Sequence, residues 1–485
     1  MRAVAVFSRR ARERSGVAVA LRRGILPAMV TIDFQLGTLL VGGPDAETES
    51  VRSWCRRDDR VGLWRAEAIA YADIILTLHR GRLAYEDRAR AFATLSLSLA
   101  ENRSPRAYQG AALAAWEGAG RRGVVVLPTG AGKSFVARLA IHCTQRSTLI
   151  VVPTLDLLEQ WVRQLGEGFQ TEIGILGGGE RRLGELTVST YESAVLTMEF
   201  YGNRFGLLVV DECHHLPGAA TQHLARMCIA PFRLGLTATP ERDDGGEDRV
   251  SALIGPICYR CEIDEMDVDV LSPYRTVRLE LELEPDEERQ YRQEREVYTA
   301  FVRENQISFA DPGGWGRFLS LCARQAGGRE AFEAYLAQKR IARSCRAKYG
   351  MIWDLLCRHA GERVLVFTAD NATAYEIGQR FLLPVLTHHT RLTERREVLD
   401  AFRRGEYPVL VTSRVLNEGV DVPEASVGIV VSGSAGVREH VQRLGRILRP
   451  LAGKKAVLYE LVSARTSESF VSDRRRQHRA YERPH

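Results

Sequence analysis

Residues 127–134 read Leu127-Pro128-Thr129-Gly130-Ala131-Gly132-Lys133-Ser134. A continuous apolar run, GVVVL, leads into them, and a helical pattern, FVARLAIHC, leads out. Between a strand and a helix, glycines let the backbone curl until its N–H groups and the helix N-terminus point at one anion, and phosphate fits that geometry. In such a loop Thr129, Gly130, Ala131 and Gly132 form the cradle. Lys133 reaches the β- and γ-phosphates, and the Ser134 hydroxyl ligates Mg²⁺. The strict pattern has glycine where Leu127 stands, so the match is to the shorter TGxGK[ST] form. Lysine is otherwise scarce: it occurs only at Lys133, Lys339, Lys348, Lys454 and Lys455, with arginine the default cation. A lysine inside this loop is more telling for that.

Around the loop, short apolar runs alternate with helical patterns: GVVVLPTG, STLIVVPT, ELTVSTY, FGLLVVDE and FRLGLTATP. Such runs predict a parallel sheet buried on both faces. Near residue 263 the rhythm changes. VRLELELEP alternates strictly, and DEERQYRQEREVYTAFVREN then reads as helix, with Val297, Tyr298, Phe301 and Val302 on one stripe. Helical character continues to about residue 345. The β/α rhythm resumes with ERVLVFTAD, YPVLVTS, SVGIVVS and AVLYELV. Ahead of the first sheet, VTIDFQLGTLLVGG reads as a hairpin strand turning at Gly42-Gly43-Pro44. LWRAEAIAYADIILTLH then passes from strand to helix, and a helical, arginine-dotted connector leads to Ser104.

The expected fold class is α/β: two parallel-sheet domains in tandem, a small N-terminal α/β domain and a helical insertion. The expected boundaries are a basic extension at 1–28, the N-terminal domain and connector at 29–100, the first sheet domain at 101–262, and the second at 263–465. The insertion falls at about 286–345, and a basic tail with Arg474, Arg475, Arg476 and Arg479 fills 466–485.

A second stretch, Val209-Val210-Asp211-Glu212-Cys213-His214-His215-Leu216-Pro217, crowds carboxylates, a thiol and imidazoles together. Ligands bind at the C-terminal ends of strands in open α/β sheets. With a phosphate loop on the same sheet, Asp211 holds Mg²⁺ and Glu212 orients and deprotonates the attacking water. A zinc site prefers spaced ligands, such as two histidines on one helix face, and a Cys–His nucleophile pair needs no phosphate loop beside it. Cys213 is therefore read as a small packing residue. A third stretch, Gln442-Arg443-Leu444-Gly445-Arg446-Ile447-Leu448-Arg449-Pro450, places Gln442, Arg446 and Arg449 on one helical face. Such a face is suited to present guanidiniums to a triphosphate as arginine fingers.

Composition narrows the class. The chain has 485 residues, a formal net charge of +6, 45% hydrophobic and 26% charged residues. That permits a polyanionic partner without demanding one. Nine scattered cysteines argue against a disulfide framework. The close pair Cys258 and Cys261 falls on an expected strand, where residues three apart face opposite sides and cannot share a metal. No apolar run approaches membrane-spanning length, so the expectation is a cytoplasmic protein without a membrane partner, acting as a monomer.

Taken together, these motifs resemble those of superfamily-2 helicases, and more closely the XPB-type (xeroderma pigmentosum group B) helicases, particularly the compact archaeal forms. The stretches that carry the resemblance are SPRAYQGAALAAW, the TGAGKS loop, IVVPTLDLLEQW, VSTYESA, VVDECHH, APFRLGLTATPERDDG, LIGPICYR, LNEGVDVPEA and REHVQRLGRILRP. It extends from Met29 to about residue 465.

The resemblance implies two RecA-like domains, with the N-terminal unit matching the family's damage-recognition domain and the helical insertion its thumb. It implies that Tyr108 and Gln109 recognise adenine and that Thr237-Ala238-Thr239 couple the phosphate site to nucleic acid. Pro153, Thr154, Ser189, Thr190, Thr412 and Ser413 would contact the DNA backbone, and Glu418, Gly419 and Asp421 would line the cleft. The family's Arg-Glu-Asp motif stands here as Arg242-Asp243-Asp244, one acid a methylene shorter.

The implied activity is ATP- and Mg²⁺-dependent 3′–5′ DNA helicase or translocase action on single-stranded, duplex or forked DNA, in nucleotide excision repair and in transcription. A companion nuclease or repair factors are the implied partners; no nuclease constellation is visible in this sequence. Two other readings stay open: a duplex translocase without processive unwinding, and a DNA-binding scaffold with a vestigial ATPase.

Overall fold

The computed structural model describes residues 29–44, 48–100, 104–128, 130–238, 246–261, 274–309, 311, 313–413, 425–432 and 456–468. The chain divides into two compact units, broken between Arg260 and Cys261, with the short Leu127–Gly132 segment counted with the second.

The first unit opens with a five-stranded sheet. β1 (Val30–Gln35), β2 (Thr38–Gly42), β3 (Cys55–Asp58) and β4 (Leu63–Glu67) pair antiparallel, and β5 (Tyr85–Asp87) joins β1 in parallel. Helix α1 (Tyr71–Arg80) buries Tyr71, Ile74 and Leu78, the i, i+3, i+7 stripe of an amphipathic helix. The stretch expected as one hairpin strand is in fact two. The turn lies at Leu36-Gly37, both at positive φ (47° and 74°), rather than at Gly42–Pro44. A β-carbon at Gly37 would lie 2.7 Å from Met227 Cγ, so glycine serves both the turn and the packing.

The segment expected as a helical connector is extended instead. Its sequence, TLSLSL over Thr94–Leu99, alternates half-buried leucines with exposed polar residues, a period of two. Its backbone finds partners in the α/β lobe beside it. Ala91 N–H donates to Asn203 O, Leu95 N–H to Gln145 O and Ala100 N–H to Gly168 O. Those long-range bonds substitute for the intrahelical ladder.

The α/β lobe of this unit is an eight-stranded sheet. In chain order its elements are α2 (Ala107–Gly118), β6 (Arg122–Val126), α3 (Lys133–Thr144), β7 (Thr148–Val152), α4 (Leu155–Phe169), β8 (Ile173–Gly177), β9 (Glu180–Arg182), β10 (Leu186–Thr190), α5 (Tyr191–Tyr201), β11 (Leu207–Asp211), α6 (Gln222–Arg226), β12 (Phe232–Thr237), α7 (Glu247–Leu253) and β13 (Ile257–Arg260). The order across the sheet is β13-β6-β12-β11-β7-β10-β8-β9. Only β8–β9 is antiparallel. Strands β7, β10 and β11 are buried at every residue, as the uninterrupted Val/Leu runs require. The C-terminal ends of the parallel strands carry the loop after β6, Pro153-Thr154, Ser189-Thr190, Asp211-Glu212 and Thr237.

The second unit holds a six-stranded, wholly parallel sheet, ordered β14-β19-β18-β15-β17-β16. Its strands are β14 (Tyr274–Leu281), β15 (Val364–Phe367), β16 (Val385–Leu386), β17 (Val409–Thr412), β18 (Val427–Val430) and β19 (Ala456–Ser463). Between β14 and β15 the chain forms α8 (Pro285–Glu304), α9 (Gly314–Arg324), α10 (Gly328–Arg343) and α11 (Arg346–Arg358); α12 (Asn371–Phe381) and α13 (Leu392–Arg404) follow. Phe301, Ile307, Phe318 and Ala331 form the core of the inserted helices, with Tyr298 and Val302 packed against it. Val297, expected on that stripe, is 41% exposed. The buried ammonium of Lys348 on α11 donates to Val431 O (2.8 Å) and to the Glu468 carboxylate (2.6 Å), tying the end of β18 to the segment after β19. No helix among the described residues is long and apolar enough to cross a membrane.

Arg233 on β12 is fully buried, and burial pulls its pKa down to about 10. Its guanidinium donates to the carbonyls of Ala225, Cys228, Ala230 and Leu253, capping α6, α7 and the turn before β12. Arg233→Met orphans these acceptors. It is expected to lower the first unfolding transition in a urea titration by about 3 kcal/mol or more.

Candidate active site

Helix α3 begins at Lys133, directly after a loop in which Gly130 and Gly132 stand at φ of +91° and +82°. That left-handed backbone is open to glycine at little cost. The loop is closed on itself by Ala131 N–H donating to Pro128 O (3.2 Å). Lys133 sits at the N-terminus of α3, where the helix dipole favours an anion, and its ammonium lies 3.9 Å from the Glu212 carboxylate. Thr129 lies outside the described residues.

Strand β11 delivers Asp211, and the next residue, Glu212, turns sharply at φ 49°, ψ 50°. A non-glycine residue in that region is uncommon and stores strain. The bend separates the two carboxylates. Asp211 Oδ2 accepts the indole N–H of Trp161 on α4 (2.9 Å), and Oδ1 accepts the N–H of Glu212 (3.0 Å). Burial pushes the Asp211 pKa up, while the Lys133 charge and these two donors pull against it. The Tyr191 hydroxyl donates to the carbonyls of Asp211 (3.0 Å) and Glu212 (3.2 Å), fixing the turn from below. Glu212 Oε2 lies 3.5 Å from His214 Nδ1, which in turn is 3.0 Å from the Thr237 hydroxyl at the end of β12. A polar chain thus runs from Lys133 through Glu212 and His214 to Thr237.

This geometry disposes of the alternatives for the acid–thiol–imidazole cluster. Cys213 is 1% exposed, and burial together with Glu212 and Asp211 pushes its thiol far above the usual range. A thiol so held is no nucleophile. It packs on Gly235, where a β-carbon would approach Cys213 Sγ to 3.0 Å. Among the described residues no group of His, Cys, Asp or Glu side chains could hold a metal by itself, and every described cysteine is free.

The other sequence-derived candidates divide by exposure. Gln109 is buried, and its carboxamide oxygen accepts the N–H of Arg106 at the start of α2, with Tyr108 half-buried beside it. Thr154 and Thr190 cap α4 and α5, and Pro153 is half-buried next to Thr154. Ser189 is fully buried with its hydroxyl given to Thr190 O, Thr412 is fully buried with its hydroxyl given to Ser413 O, and Ser413 donates to Asn371 Oδ1 (2.6 Å). These three hydroxyls brace the strand ends. Ala238 is 8% exposed. Thr239, Arg242, Asp243, Asp244, Glu418, Gly419, Asp421, Gln442, Arg446 and Arg449 lie outside the described residues.

Three residues with evident roles escaped the sequence reading: Trp161, Tyr191 and His214. Each belongs to a quoted motif, yet its partner lies elsewhere in the chain. A second polar surface also emerged on the N-terminal sheet. The Arg52 and Arg57 guanidiniums lie 4.8 and 5.5 Å from the Trp64 ring centre, and Asp58 is paired with Arg60 and Arg65. A cavity of about 960 Å³ opens there, lined by Trp54, Arg56, Arg57, Arg65 and Arg122 among others.

The fold has solved counterparts. The helicase domain of Pyrococcus furiosus Hef aligns at a TM-score of 0.50 with 19% identity, over 76% of this chain and 97% of that one. Saccharomyces cerevisiae Dbp5 bound to RNA and ADP BeF3 aligns at 0.53 with 15% identity, over 77% and 88%. The likeness to both is one of fold. Family models match in three places: the type III restriction enzyme res subunit at residues 102–242, the helicase conserved C-terminal domain at 347–450, and the xeroderma pigmentosum group B helicase damage recognition domain at 32–89. The DNA 3′-5′ translocase XPB2 of Sulfurisphaera tokodaii is 40% identical over 372 residues, 77% of this chain and 84% of that protein.

The chain belongs to the XPB family of superfamily-2 helicases. Within that family, the DNA 3′-5′ helicase XPB of Mycobacterium tuberculosis is 33% identical, over 71% of this chain but 58% of its own length. The factor IIH helicase/translocase subunit XPB1 of Arabidopsis thaliana is 27% identical, over 79% and 50%. The chain therefore spans most of the archaeal XPB relative and little more than half of the other two.

Trp161→Phe keeps the ring and removes the donor to a buried carboxylate. It is expected to cost about 1–3 kcal/mol of stability and to slow nucleotide turnover, read by denaturation and by phosphate release. Glu212→Gly should behave oppositely in the two assays. Stability holds or rises by about 1 kcal/mol as the left-handed strain is relieved, while hydrolysis disappears.

Proposed function

We propose that this chain is an ATP-dependent DNA helicase or translocase, moving 3′ to 5′, which couples hydrolysis to duplex opening in DNA repair. The observation that supports it best is the polar chain Lys133–Glu212–His214–Thr237 at the C-terminal edge of a parallel sheet, next to a glycine loop that opens a helix. Lys133 and the α3 N-terminus bind the triphosphate. Glu212 orients and deprotonates the attacking water, its carboxylate held between an ammonium and an imidazole. Asp211 is oriented by one donor on each oxygen. That leaves a lone pair on each for a hard cation or its water, and Ser134 offers an oxygen of the same kind. The donor set fits Mg²⁺, which would neutralise phosphate charge there. Gln442, Arg446 and Arg449 enter this reading on their sequence spacing, as arginine-finger candidates.

His214 and Thr237 link the hydrolytic carboxylate to the loop after β12, so a change at Glu212 has a route to the segment carrying Thr239 and Arg242. DNA contacts fall to half-buried Pro153 and Thr154 and to Thr190 at a helix start, with the arginines around Trp64 on the N-terminal sheet as a second surface. Most contacts would be to phosphate, so binding should weaken steeply with salt and depend little on sequence. The relatives' printed names include both helicase and translocase, and the motor residues serve either. Triplex displacement without forked-duplex unwinding would select the translocase.

The deciding measurement is steady-state ATPase with no nucleic acid, single-stranded DNA, duplex, fork and RNA. DNA is expected to stimulate turnover. Lys133→Ala should lower turnover by about 10²-fold or more. Glu212→Gln should retain ATP without turning it over. Turnover undetectable under every condition would favour a scaffold with a vestigial ATPase.

A further inference from the structure

Helices α8 and α10 lie antiparallel. The N–H of Arg346, just past α10, reaches Glu287 near the start of α8, and the Tyr335 ring lies 5.2 Å from that of Tyr298, tilted at 45°. In that register Val297 stands opposite Leu336. Between the helices runs a groove of about 610 Å³. Glu294, Val297, Glu330, Glu333, Ala334, Leu336, Ala337 and Arg340 line it. Val297 and Leu336 are 41% and 50% exposed, an apolar patch with carboxylates beyond it. Glu333 pairs with Arg329, an exposed contact open to exchange, and Arg340 is the single cation in the lining.

The chain passes beside α8 shortly before its basic segment begins. Arg465 pairs with Glu282 and lies 4.0 Å from Glu288, and the N–H of Ser467 donates to the Tyr291 hydroxyl (2.8 Å). Arg465 and Ser467 thus lie beside the start of α8. Glu468, the last described residue, is anchored by Lys348 and the Ser463 N–H. Residues 469–485 follow, with Phe470-Val471 first and Arg474-Arg475-Arg476 next. Charge and order suit the groove: two apolar residues come first and three arginines follow, while Val297 and Leu336 are flanked by Glu330 and Glu333. Val297 is about 9 Å along α8 from Tyr291, within reach of a segment of 17 residues.

We propose that the groove between α8 and α10 is the docking site of this chain's own basic segment 469–485, with Phe470 and Val471 on Val297 and Leu336 and the arginines on Glu330 and Glu333. The contact is intramolecular, and the segment begins just after Ser467, which touches α8 at Tyr291. It is independent of the nucleotide and of DNA.

Hydrogen exchange of the full chain, without DNA, compared with a chain stopped after Glu468 tests this. Truncation should raise exchange in peptides covering 292–300 and 330–340 and leave those of β15 and β17 unchanged. A labelled 469–485 peptide added to the truncated chain should bind, and E330R/E333R should weaken it by about tenfold, as two screened ion pairs allow. A peptide carrying R474E/R475E/R476E should recover on the reversed groove. In the full chain, E330R/E333R alone should reproduce the loss of protection if truncation disturbs folding. Unchanged exchange in both variants would overturn the proposal. So would protection that appears only with DNA, or only at concentrations where sedimentation finds dimers.

Discussion

A carboxylate at the end of a strand buried on both faces has little water to turn to. Unless donors are supplied, the charge would be expelled or neutralised. At Asp211 the protein meets that demand with an indole from α4, the amide of the following residue and the ammonium that opens α3. Each donor arrives from a different element, so the strand order β6-β12-β11-β7 and the placement of α3 and α4 are bound up with one side chain. The left-handed turn at Glu212 follows from the same demand. It sends the second carboxylate away from the first, towards Lys133 and His214. Tyr191 then secures the two carbonyls of the bend. The two carboxylates are thereby held apart by backbone geometry.

Much of this was legible in the chain. Uninterrupted runs such as LLVV and LIVV have no face for water, and they became central parallel strands. The glycine loop, the Asp-Glu pair and the inserted helices were recognisable from local spacing. What escaped was long-range. Nothing near Trp161 says that its N–H will meet a residue fifty positions on, and nothing near Arg233 announces four carbonyls awaiting it. The connector after α1 is extended rather than helical because Thr94–Leu99 alternates with a period of two and finds its backbone partners in the neighbouring lobe. The edge hairpin β8–β9 is short and glycine-bounded, so it gave no run long enough to notice. Leu36-Gly37 was hidden inside an alternation that continues across the turn.

The scarce lysines show how the two units use charge differently. Lys133 lies at a helix start beside a carboxylate, placed to move between partners. Lys348 is fully buried and tied to a carbonyl and to Glu468, a pair whose disruption would strand a charge in the second lobe's core. Arginine serves where fixed, planar donation is wanted: Arg233 beneath the first sheet, and Arg52 and Arg57 over Trp64. The lysine that opens α3 and the lysine that braces the second lobe are thus the same residue type in opposite environments.

Cys213 directly follows Glu212, yet it is buried against Gly235 and burial holds its proton tightly. Oxidation of sulfur begins from an accessible thiolate. Peroxide would therefore spend itself on outward-facing thiols such as Cys143 and Cys357 before it reached the catalytic edge. Sulfur oxidation therefore meets no accessible thiolate beside Glu212.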